Sequence, residues 1–551
     1  PIKWLTDTPV RVEQWPLRRE KLHALEQLVD EQLAKGHIAP SNSPWNSPIF
    51  IIKKPGKDRW RLLHDLRAIN QVMEEMGPLQ PALPSPAMLP KGWPIAVIDI
   101  KDCFFSIPLN PVDAPRFAFS LPSTKREAPM RRYHWLVLPQ GMKNSPVICQ
   151  WYVSEVPSLV RKAFLKAKIL RYMDDVLICA PEKTYLDLTL TEVINAIERA
   201  GMEVHPEKIQ RTAPWRYLGT RIAETTISPQ LLGIQDHPST LWELHQLCGS
   251  INWVRPLLGL TTTELAPLFQ LLRGGQALDS PITITPEAEE AINKVLLALT
   301  SKRAHRVNPN LPFRFSTLGE VPRYHGLIFQ WDEGARDPLL IIEWVFLPHT
   351  PSKTISRPQD LVAELITRAR HRLRTLTGCD FTYIHFPWKQ DKFEEVFQES
   401  ENLQLALENY TGQIGNQKLK HQLFNSDFHL APNFVQSKTP IKNALTVFTD
   451  GSGSSHKSWD EEVRVVEGSP QIAELAAVVR VFERFEERPV NLVTDSAYVA
   501  GVVSRAEHSL LREVPYRKLF GLLARLVELL SHRKHPFYVM HVRSHSGLPG
   551  F

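Results

Sequence analysis

Residues 168–179 read Lys-Ile-Leu-Arg-Tyr-Met-Asp-Asp-Val-Leu-Ile-Cys. The apolar residues on both sides of the acidic pair predict two buried strands joined by a tight turn, with Asp174 and Asp175 at its tip. Upstream, the apolar run Ile95-Ala96-Val97-Ile98 ends in Asp99. We therefore expect a sheet that carries carboxylates at one rim.

These carboxylates predict a cation site. Adjacent carboxylates at a hairpin tip repel each other and lose hydration, so a nearby cation would stabilise them. Magnesium is the natural ion, because it prefers hard oxygen ligands and can bridge them to a nucleotide triphosphate. An isolated Asp-Asp pair is more often a solvated turn, and only the surrounding sequence decides between the two interpretations.

The composition is that of a folded protein with several domains. Of 551 residues, 43% are hydrophobic and 23% charged, and this length predicts about three to five domains. The net charge of +6 suits a polyanionic partner or an ordinary solubilising surface. Five scattered cysteines argue against a disulfide framework or a zinc site and favour a reducing compartment. We find no membrane span or signal peptide, and the start at Pro1 indicates a fragment of a longer precursor.

We predict an α+β multidomain chain in four parts. Forty-five prolines disfavour long helices in residues 1–235. Residues 236–305 contain helical periodicity at 240–253, and residues 306–440 are interpreted as a structural connector without a chemical motif. Residues 441–551 alternate strands and helices, which predicts a small α/β domain. We find no internal repeat.

Hydrophobic periodicity also predicts individual elements. Helices are expected at 186–200, 359–373 and 471–485, and strands at 339–347 and 490–494.

The motifs around the acidic pair resemble those of a known family. Tyr-Met-Asp-Asp (172–175) follows Leu-Pro-Gln-Gly-Met-Lys-Asn-Ser-Pro (138–146) and Ile-Asp-Ile-Lys-Asp-Cys-Phe-Phe-Ser-Ile-Pro-Leu (98–109). In this order they resemble retroviral reverse transcriptases, especially the betaretrovirus and alpharetrovirus group with its endogenous relatives. The resemblance runs from Trp15-Pro16-Leu17 to Leu548-Pro549-Gly550.

The resemblance implies a right-hand polymerase. Residues 1–235 would form fingers and palm, 236–305 the thumb, 306–440 the connection and 441–551 a ribonuclease H-like domain. It also implies two Mg²⁺ ions, with Mn²⁺ as an alternative. Their ligands would be Asp99, Asp174, Asp175 and the backbone carbonyl of Ile100. Such ions lower the pKa of a primer 3′-hydroxyl and stabilise the pyrophosphate leaving group.

Six positions match residues around the incoming nucleotide: Lys54, Arg61, Phe104, Gln140, Tyr172 and Met173. Lys54 and Arg61 would hold the triphosphate, although Lys53 is an alternative to Lys54 and the basic run could be a solvated hairpin. Phe104 would exclude a ribose 2′-hydroxyl by steric clash, the alternative being a core aromatic after a strand. Gln140 would lie beside the sugar and base.

Two further segments resemble parts that hold the duplex. Tyr217-Leu218-Gly219 matches the hairpin that positions the primer end, with an ordinary buried strand as the alternative. His245, Gly249 and Trp253 recur at spacings of four, which places them on one helix face. They resemble the thumb helix that tracks the minor groove of the template-primer, while the alternative is a packed helix pair.

A second set of carboxylates lies near the C-terminal end. Asp450 and Asp495 each end a strand-like run, and Glu474 lies in the predicted helix. Each alone would be interpreted as a cap or turn residue. Together they resemble ribonuclease H, whose carboxylates bind two magnesium ions that activate water to cut the RNA strand of a hybrid. His545 matches the mobile histidine implicated in turnover.

Two departures from the ribonuclease H pattern predict weak or absent nuclease activity. The interval from Asp450 to Glu474 is a few residues short. The chain also stops at Phe551, before the position of the family's fourth carboxylate and last helix. Full cleavage of hybrids by this chain would refute the expectation.

The principal hypothesis is an RNA- and DNA-directed DNA polymerase with an appended ribonuclease H. Its partners would be RNA and DNA template-primers, RNA–DNA hybrids, deoxynucleoside triphosphates and a tRNA primer, without a membrane. One alternative is a non-catalytic structural subunit of a reverse transcriptase dimer, and another is a nucleic-acid-binding module retained by a host genome. The paired carboxylate sets favour catalysis. We also expect a homodimer or heterodimer of Pol-derived subunits in the virion core and host cytoplasm.

Overall fold

The computed structural model describes residues 1–53, 58–77, 83–123, 128–230, 237–273, 277–450 and 468–543. Two predicted site residues, Lys54 and His545, lie outside these ranges. The chain divides into two compact units, Pro1–Thr226 and Ile227–Phe551. The finer domain boundaries after residues 235, 305 and 440 stay predictions.

The first unit mixes helices with short strands. Its described helices are α1 (Arg19–Ala34), α2 (Arg67–Gln71), α3 (Ser145–Ala163) and α4 (Lys183–Arg199). Its described strands are β1 (Ile38–Pro40), β2 (Ile49–Lys53), β3 (Trp60–His64), β4 (Ile95–Lys101), β5 (Ala118–Leu121), β6 (Arg131–Trp135), β7 (Lys168–Tyr172), β8 (Asp175–Cys179), β9 (Glu203–Val204), β10 (Trp215–Tyr217) and β11 (Thr220–Ile222). The next strand, β12 (Thr226–Pro229), begins at the boundary of the unit.

A four-stranded sheet in the order β7-β8-β4-β9, here called the central sheet, positions the acidic residues. Its two inner strands are apolar on both faces, and β8 is buried from Val176 to Cys179. Strands with this pattern are stable when both faces are covered. Side chains of α3 and α4 belong to the same hydrophobic core.

In this unit one prediction about helices is confirmed and another is wrong. The helix predicted at 186–200 is confirmed as α4. The expectation that prolines prevent long helices here is wrong, because α3 has 19 residues and contains Pro157. Residues such as Cys149, Val153 and Val160 bury one face of α3, and this burial outweighs the backbone hydrogen bond lost at the proline.

The second unit contains the remaining elements. Its described helices are α5 (Leu241–Leu258), α6 (Thr262–Gln270), α7 (Pro286–Ser301), α8 (Pro358–Thr377), α9 (Gln390–Glu399), α10 (Glu401–Ala406), α11 (Gln422–Asp427), α12 (Pro470–Arg484), α13 (Ala497–Ala506) and α14 (Arg517–His532). Its further strands are β13 (Ala304–His305), β14 (Arg314–Leu318), β15 (His325–Trp331), β16 (Leu339–Val345), β17 (Ile355–Ser356), β18 (Tyr383–His385), β19 (Gln413–Gly415), β20 (Leu445–Thr449), β21 (Val490–Thr494), β22 (Leu510–Leu511) and β23 (Phe537–His541). The elements predicted at 240–253, 339–347, 359–373, 471–485 and 490–494 are confirmed. Among the described residues, no helix is long and apolar enough to span a bilayer.

Two sheets of the second unit share the same order of parallel strands along the chain. The connection sheet has the order β16-β15-β14-β18-β19, and the C-terminal sheet has the order β20-β21-β23. In the connection sheet β14 pairs in parallel with β18, the first sheet strand after α8. In the C-terminal sheet β20 pairs in parallel with β21, the strand after α12. A third parallel strand follows in each, β19 and β23. The sequence shows no repeat, but the topology of these two parts is repeated.

Candidate active sites

The acidic pair lies at the tip of a tight hairpin in the central sheet. Tyr172 pairs with Asp175 across β7 and β8, which leaves Met173 and Asp174 as the two connecting residues. Met173 has φ +50°, a conformation that residues with side chains seldom adopt. The hairpin thus holds its carboxylates at the end of the sheet at some cost in backbone strain.

Asp99 faces this hairpin from the neighbouring strand. It is opposite Asp175 in the register of β4 and β8, and the backbone N–H of Ile100 donates to the backbone oxygen of Asp174 at 2.9 Å. Asp99 does not end its strand as the sequence suggests, because β4 continues to Lys101 by pairing with β9. The three predicted metal-binding carboxylates therefore lie at one end of the central sheet.

Negative charge is concentrated at this end. Loss of water together with the charges of Asp174 and Asp99 raises the pKa of Asp175 to about 6. Desolvation also raises the pKa of Asp174, and Asp99 adds to this shift. Lys208, which the sequence did not single out, places its Nζ 2.7 Å from Oδ2 of Asp99. Its charge offsets part of the repulsion.

The chemistry of these donors fits a hard divalent cation. Carboxylate oxygens are the ligands that magnesium prefers, and raised pKa values indicate carboxylates that would gain from added positive charge. Within the described ranges, however, no group of three or more His, Cys, Asp or Glu residues is already arranged to hold a metal ion. The side chains would have to reorient on binding one.

Two of the predicted nucleotide contacts are brought together. Arg61 on β3 donates from Nη2 to Oε1 of Gln140 at 2.8 Å, although 79 residues separate them in sequence. The alternative cation Lys53 lies 5.3 Å from the ring centroid of Trp60 and 3.6 Å from Asp58. The choice between Lys53 and Lys54 as the triphosphate contact stays a prediction, since Lys54 lies outside the described ranges.

Phe104 lies in a short 3-10 turn, Cys103–Ser106, directly after β4. Its side chain is half-buried and packs against the core of the first unit. Asp102, two residues before Phe104, has φ +45°. The partly exposed ring therefore lies in the turn that follows the strand carrying Asp99.

The predicted primer-end segment is a two-residue hairpin. Leu218 and Gly219 connect β10 to β11 with φ values of +47° and +72°, as in a type I′ turn. Tyr217 is buried, its hydroxyl has no hydrogen-bond partner among the described residues, and burial and the charge of Asp175 raise its pKa. This dependence on Asp175 places the hairpin near the acidic end of the central sheet.

Helix α5 presents the predicted duplex-binding residues on its exposed side. Thr240 and Glu243 form a capping box that fixes its start. His245, Gly249 and Trp253 are exposed, and a Cβ at Gly249 would meet no atom within 4 Å. Trp242, which sequence analysis missed, is 50% exposed and seven residues before Gly249, so it shares that face. The spacing alone could have identified it.

Two carboxylates of the second set follow adjacent strands at the same end of the C-terminal sheet. Thr449 and Thr494 are register partners in β20 and β21, so Asp450 and Asp495 leave adjacent parallel strands at the same edge. Glu474 lies on α12, whose apolar face packs in the same core. His541, the last residue of β23, has its Nε2 3.2 Å from the backbone oxygen of Asp495. His545 lies beyond the described residues.

Four protein families match consecutive parts of the chain. They are reverse transcriptase (RNA-dependent DNA polymerase) at residues 52–222, the reverse transcriptase thumb domain at 229–293, an ERVK-8-like, RNaseH-like domain at 323–424, and RNase H at 442–550. The third match agrees with the repeated topology. It indicates that residues 323–424 resemble a ribonuclease H-like domain, which the interpretation of residues 306–440 as a structural connector did not include.

Similar proteins are retroviral polyproteins. The chain is 40% identical to the Gag-Pro-Pol polyprotein of mouse mammary tumor virus (strain BR6), 40% to that of simian retrovirus SRV-2 and 39% to that of Mason-Pfizer monkey virus, in each case over 100% of this chain. It spans 31% of the length of each of these polyproteins. The resemblance inferred from the motifs is confirmed. The chain therefore combines a segment that matches the reverse transcriptase family with a segment that matches RNase H.

Proposed function

We propose that this chain is an RNA- and DNA-directed DNA polymerase that adds deoxynucleotides to a primer 3′-hydroxyl. The observation that carries the proposal is the position of Asp99, Asp174 and Asp175 at one end of the central sheet, where desolvation and mutual repulsion raise the pKa of Asp175 to about 6. A solvated turn would leave such carboxylates hydrated and would not require an opposing third one. The family match at residues 52–222 supports the same reaction.

Magnesium, with manganese as an alternative, would be held by the three carboxylates and the carbonyl of Ile100. Two bound ions supply Lewis acidity to the primer hydroxyl and to the leaving pyrophosphate. The protein's own part is to orient the reactants. Arg61 offers a forked donor to phosphate oxygens, and its hydrogen bond to Gln140 holds both side chains at the same place.

The remaining contacts of the proposal follow the chain. Phe104 would exclude the ribose 2′-hydroxyl, and the Leu218-Gly219 turn would support the primer end. Helix α5 would lie against the minor groove through its exposed face. In this right-hand arrangement, fingers and palm, thumb and connection correspond to residues 1–235, 236–305 and 306–440.

The sharpest test is primer extension on a poly-rA template with oligo-dT and Mg²⁺. We expect incorporation by the unaltered chain and a loss of at least about a hundredfold with Asp174→Asn, because a neutral amide is a poorer ligand for a hard cation. Asp187→Asn alters an exposed aspartate on α4 and is the matched control. Incorporation that survives Asp174→Asn would exclude this site, and absence of incorporation from the unaltered chain would favour a structural subunit of a dimer.

We also propose that Asp450, Glu474 and Asp495 hold the magnesium ions of a ribonuclease H site that cuts the RNA strand of hybrids. The shared edge of β20 and β21 supports this assignment, as does the RNase H match at residues 442–550. Cleavage of a labelled RNA–DNA hybrid should disappear with Asp495→Asn. The same assay tests the expectation that this activity is weak, which stays a prediction.

The wider setting is part of the proposal. A tRNA primer, a dimer of Pol-derived subunits and a place in the virion core and host cytoplasm are consistent with the retroviral polyproteins that the chain resembles. Sedimentation of the purified chain alone, and with template-primer, would establish its oligomeric state.

A further inference from the structure

Two cysteines of the first unit lie in contact. The Sγ atoms of Cys103 and Cys149 are 2.8 Å apart, although 46 residues separate them in sequence. Both side chains are buried, with exposures of 3% and 0%, and both are free thiols. The other cysteines, Cys179, Cys248 and Cys379, form no disulfide either. A disulfide bond is about 2.05 Å long, so these sulfurs need to approach by less than about one ångström to bond.

The pair connects two segments that carry predicted nucleotide contacts. Cys103 begins the 3-10 turn that contains Phe104. Cys149 lies in the second turn of α3, the helix that follows the loop containing Gln140. The backbone N–H of Leu138 donates to the oxygen of Ile107 at 3.0 Å, which already joins these segments beyond the turn. A covalent bond would remove the remaining freedom between Phe104 and α3.

We propose that Cys103 and Cys149 form a reversible dithiol–disulfide site that controls nucleotide incorporation. A hydroperoxide is the oxidant: one sulfur attacks the peroxide oxygen and forms a sulfenic acid, and the second sulfur displaces that oxygen as water. In total, two thiols and one hydrogen peroxide give one disulfide and two waters. A small dithiol reverses the reaction by exchange. The effect on incorporation rests on the proposed polymerase function, whereas formation of the bond does not.

The surroundings make the reaction selective and slow. The hydrogen bond with Cys149, together with burial, raises the pKa of Cys103, so the reactive thiolate is scarce at neutral pH. Exposed Cys379 meets oxidant sooner, whereas Cys103 and Cys149 are already in contact with each other. We therefore expect Cys379 to form a sulfenic acid or a mixed disulfide and the buried pair to form the internal bond.

Peptide mapping tests the site independently of activity. The full chain is treated with excess hydrogen peroxide, alkylated, digested and examined by mass spectrometry. We expect a linked peptide pair that joins Cys103 to Cys149 and is lighter by about 2 Da than the two thiol peptides. Cys149→Ala should abolish it and Cys379→Ser should not. If the two cysteines remain separately alkylated after complete oxidation of Cys379, the proposal is overturned.

Primer extension then tests control. We expect the disulfide form to lose about tenfold or more in kcat/KM for a deoxynucleotide, because displacements near one ångström have effects of this size. Dithiothreitol should restore the rate. Cys149→Ala and Cys149→Ser should retain the rate of the reduced chain and resist peroxide. A mapped disulfide that leaves incorporation unchanged would contradict the control role, and an inactive reduced chain would count against the polymerase assignment while the mapping still decides the site.

Discussion

The surroundings of Asp175 distinguish a candidate cation site from an ordinary solvated turn. Its carboxylate is partly buried, flanked by Asp174 and opposed by Asp99, and desolvation followed by these two charges raises its pKa to about 6. The motif predicted all three aspartates because they lie in short recognisable stretches. Lys208 was beyond sequence analysis, because it is 109 residues from Asp99 and its role follows from folding alone.

Phe104→Ala should weaken the choice of deoxynucleotides over ribonucleotides. The half-buried ring follows the strand of Asp99, and its removal would leave room for a 2′-hydroxyl. We expect the ratio of kcat/KM for dCTP to that for CTP to fall by about tenfold or more. Phe105→Leu is a suitable control, since Phe105 stacks on Trp135 at 5.4 Å and its loss affects packing. Unchanged discrimination in Phe104→Ala would remove the assignment.

His64 should make the first unit sensitive to acid. Its Nε2–H donates to the oxygen of Ser47, its Nδ1 accepts from Trp135, and burial lowers its pKa to about 4. In the unfolded chain the pKa is about 6.5. A lowered pKa means that stability is present above pH 6.5 and is lost as pH falls towards 4, by up to about 3 kcal/mol.

Urea unfolding at a series of pH values measures this effect. The free energy of unfolding should rise with pH between about 4 and 6.5, and His64→Gln should reduce that slope. His23→Gln, at an exposed histidine of α1, is the control. An identical slope in His64→Gln and the unaltered chain would show that another group is responsible.

The elements with strong local signals were predictable and those shaped by tertiary packing were not. Strand β21 has the bounds that its apolar run predicts, and the capping box at Thr240 fixes the start of α5. Helix α3 escaped prediction because burial of its apolar face outweighs Pro157. The repeated topology also escaped, because parallel pairing of β14 with β18 leaves no periodic trace in the sequence.

Gly249→Ala should separate stability from duplex binding. Alanine fits there without a clash and favours a helix by about 1 kcal/mol, so the free energy of unfolding should rise. Affinity for the template-primer should nevertheless fall, since the added methyl group would meet the nucleic acid. Fluorescence anisotropy with a labelled duplex measures the binding.

Gly521→Ala provides the matched control for that substitution. Gly521 also lies inside a helix with no atom near a built Cβ. It should raise stability to a similar extent and leave primer extension and duplex affinity unchanged. A Gly249→Ala chain that binds the duplex as tightly as the unaltered chain would contradict the placement of this face against the minor groove.

At the scale of the whole molecule, the connection and C-terminal parts of the second unit are joined by backbone pairing and buried charge. Strand β17 pairs with β22, and the N–H groups of Val435 and Gln436 donate to the buried carboxylate of Glu507. Links of this kind make separate unfolding of the two parts unfavourable. The order of the parts was predictable from sequence, but these links were not, because each joins residues more than 70 positions apart.

Glu507 should make the second unit less stable at alkaline pH. Burial raises its pKa to about 7 despite the two N–H donors, against about 4.5 in the unfolded chain. A raised pKa means that the contribution is full below pH 4.5 and is lost as pH rises through 7, by up to about 3 kcal/mol. Hydrogen exchange of amides in β20 and β21 at pH 5 and pH 8, corrected for intrinsic rates, should reveal this loss. Glu507→Gln should remove it, and equal protection at both pH values would disprove it.

In the repeated topology, the positions that hold Asp450 and Asp495 in the C-terminal sheet hold non-acidic residues in the connection sheet. Where Asp450 and Asp495 follow β20 and β21, the connection sheet has Gly319 after β14 and Phe386 after β18. Phe386 is 1% exposed, and its ring lies 4.6 Å from that of Phe393. A buried aromatic pair therefore occupies the position that corresponds to Asp495. Phe386→Asp would bury an unpaired charge among aromatic rings. It would destabilise the fold and would not create a second nuclease site.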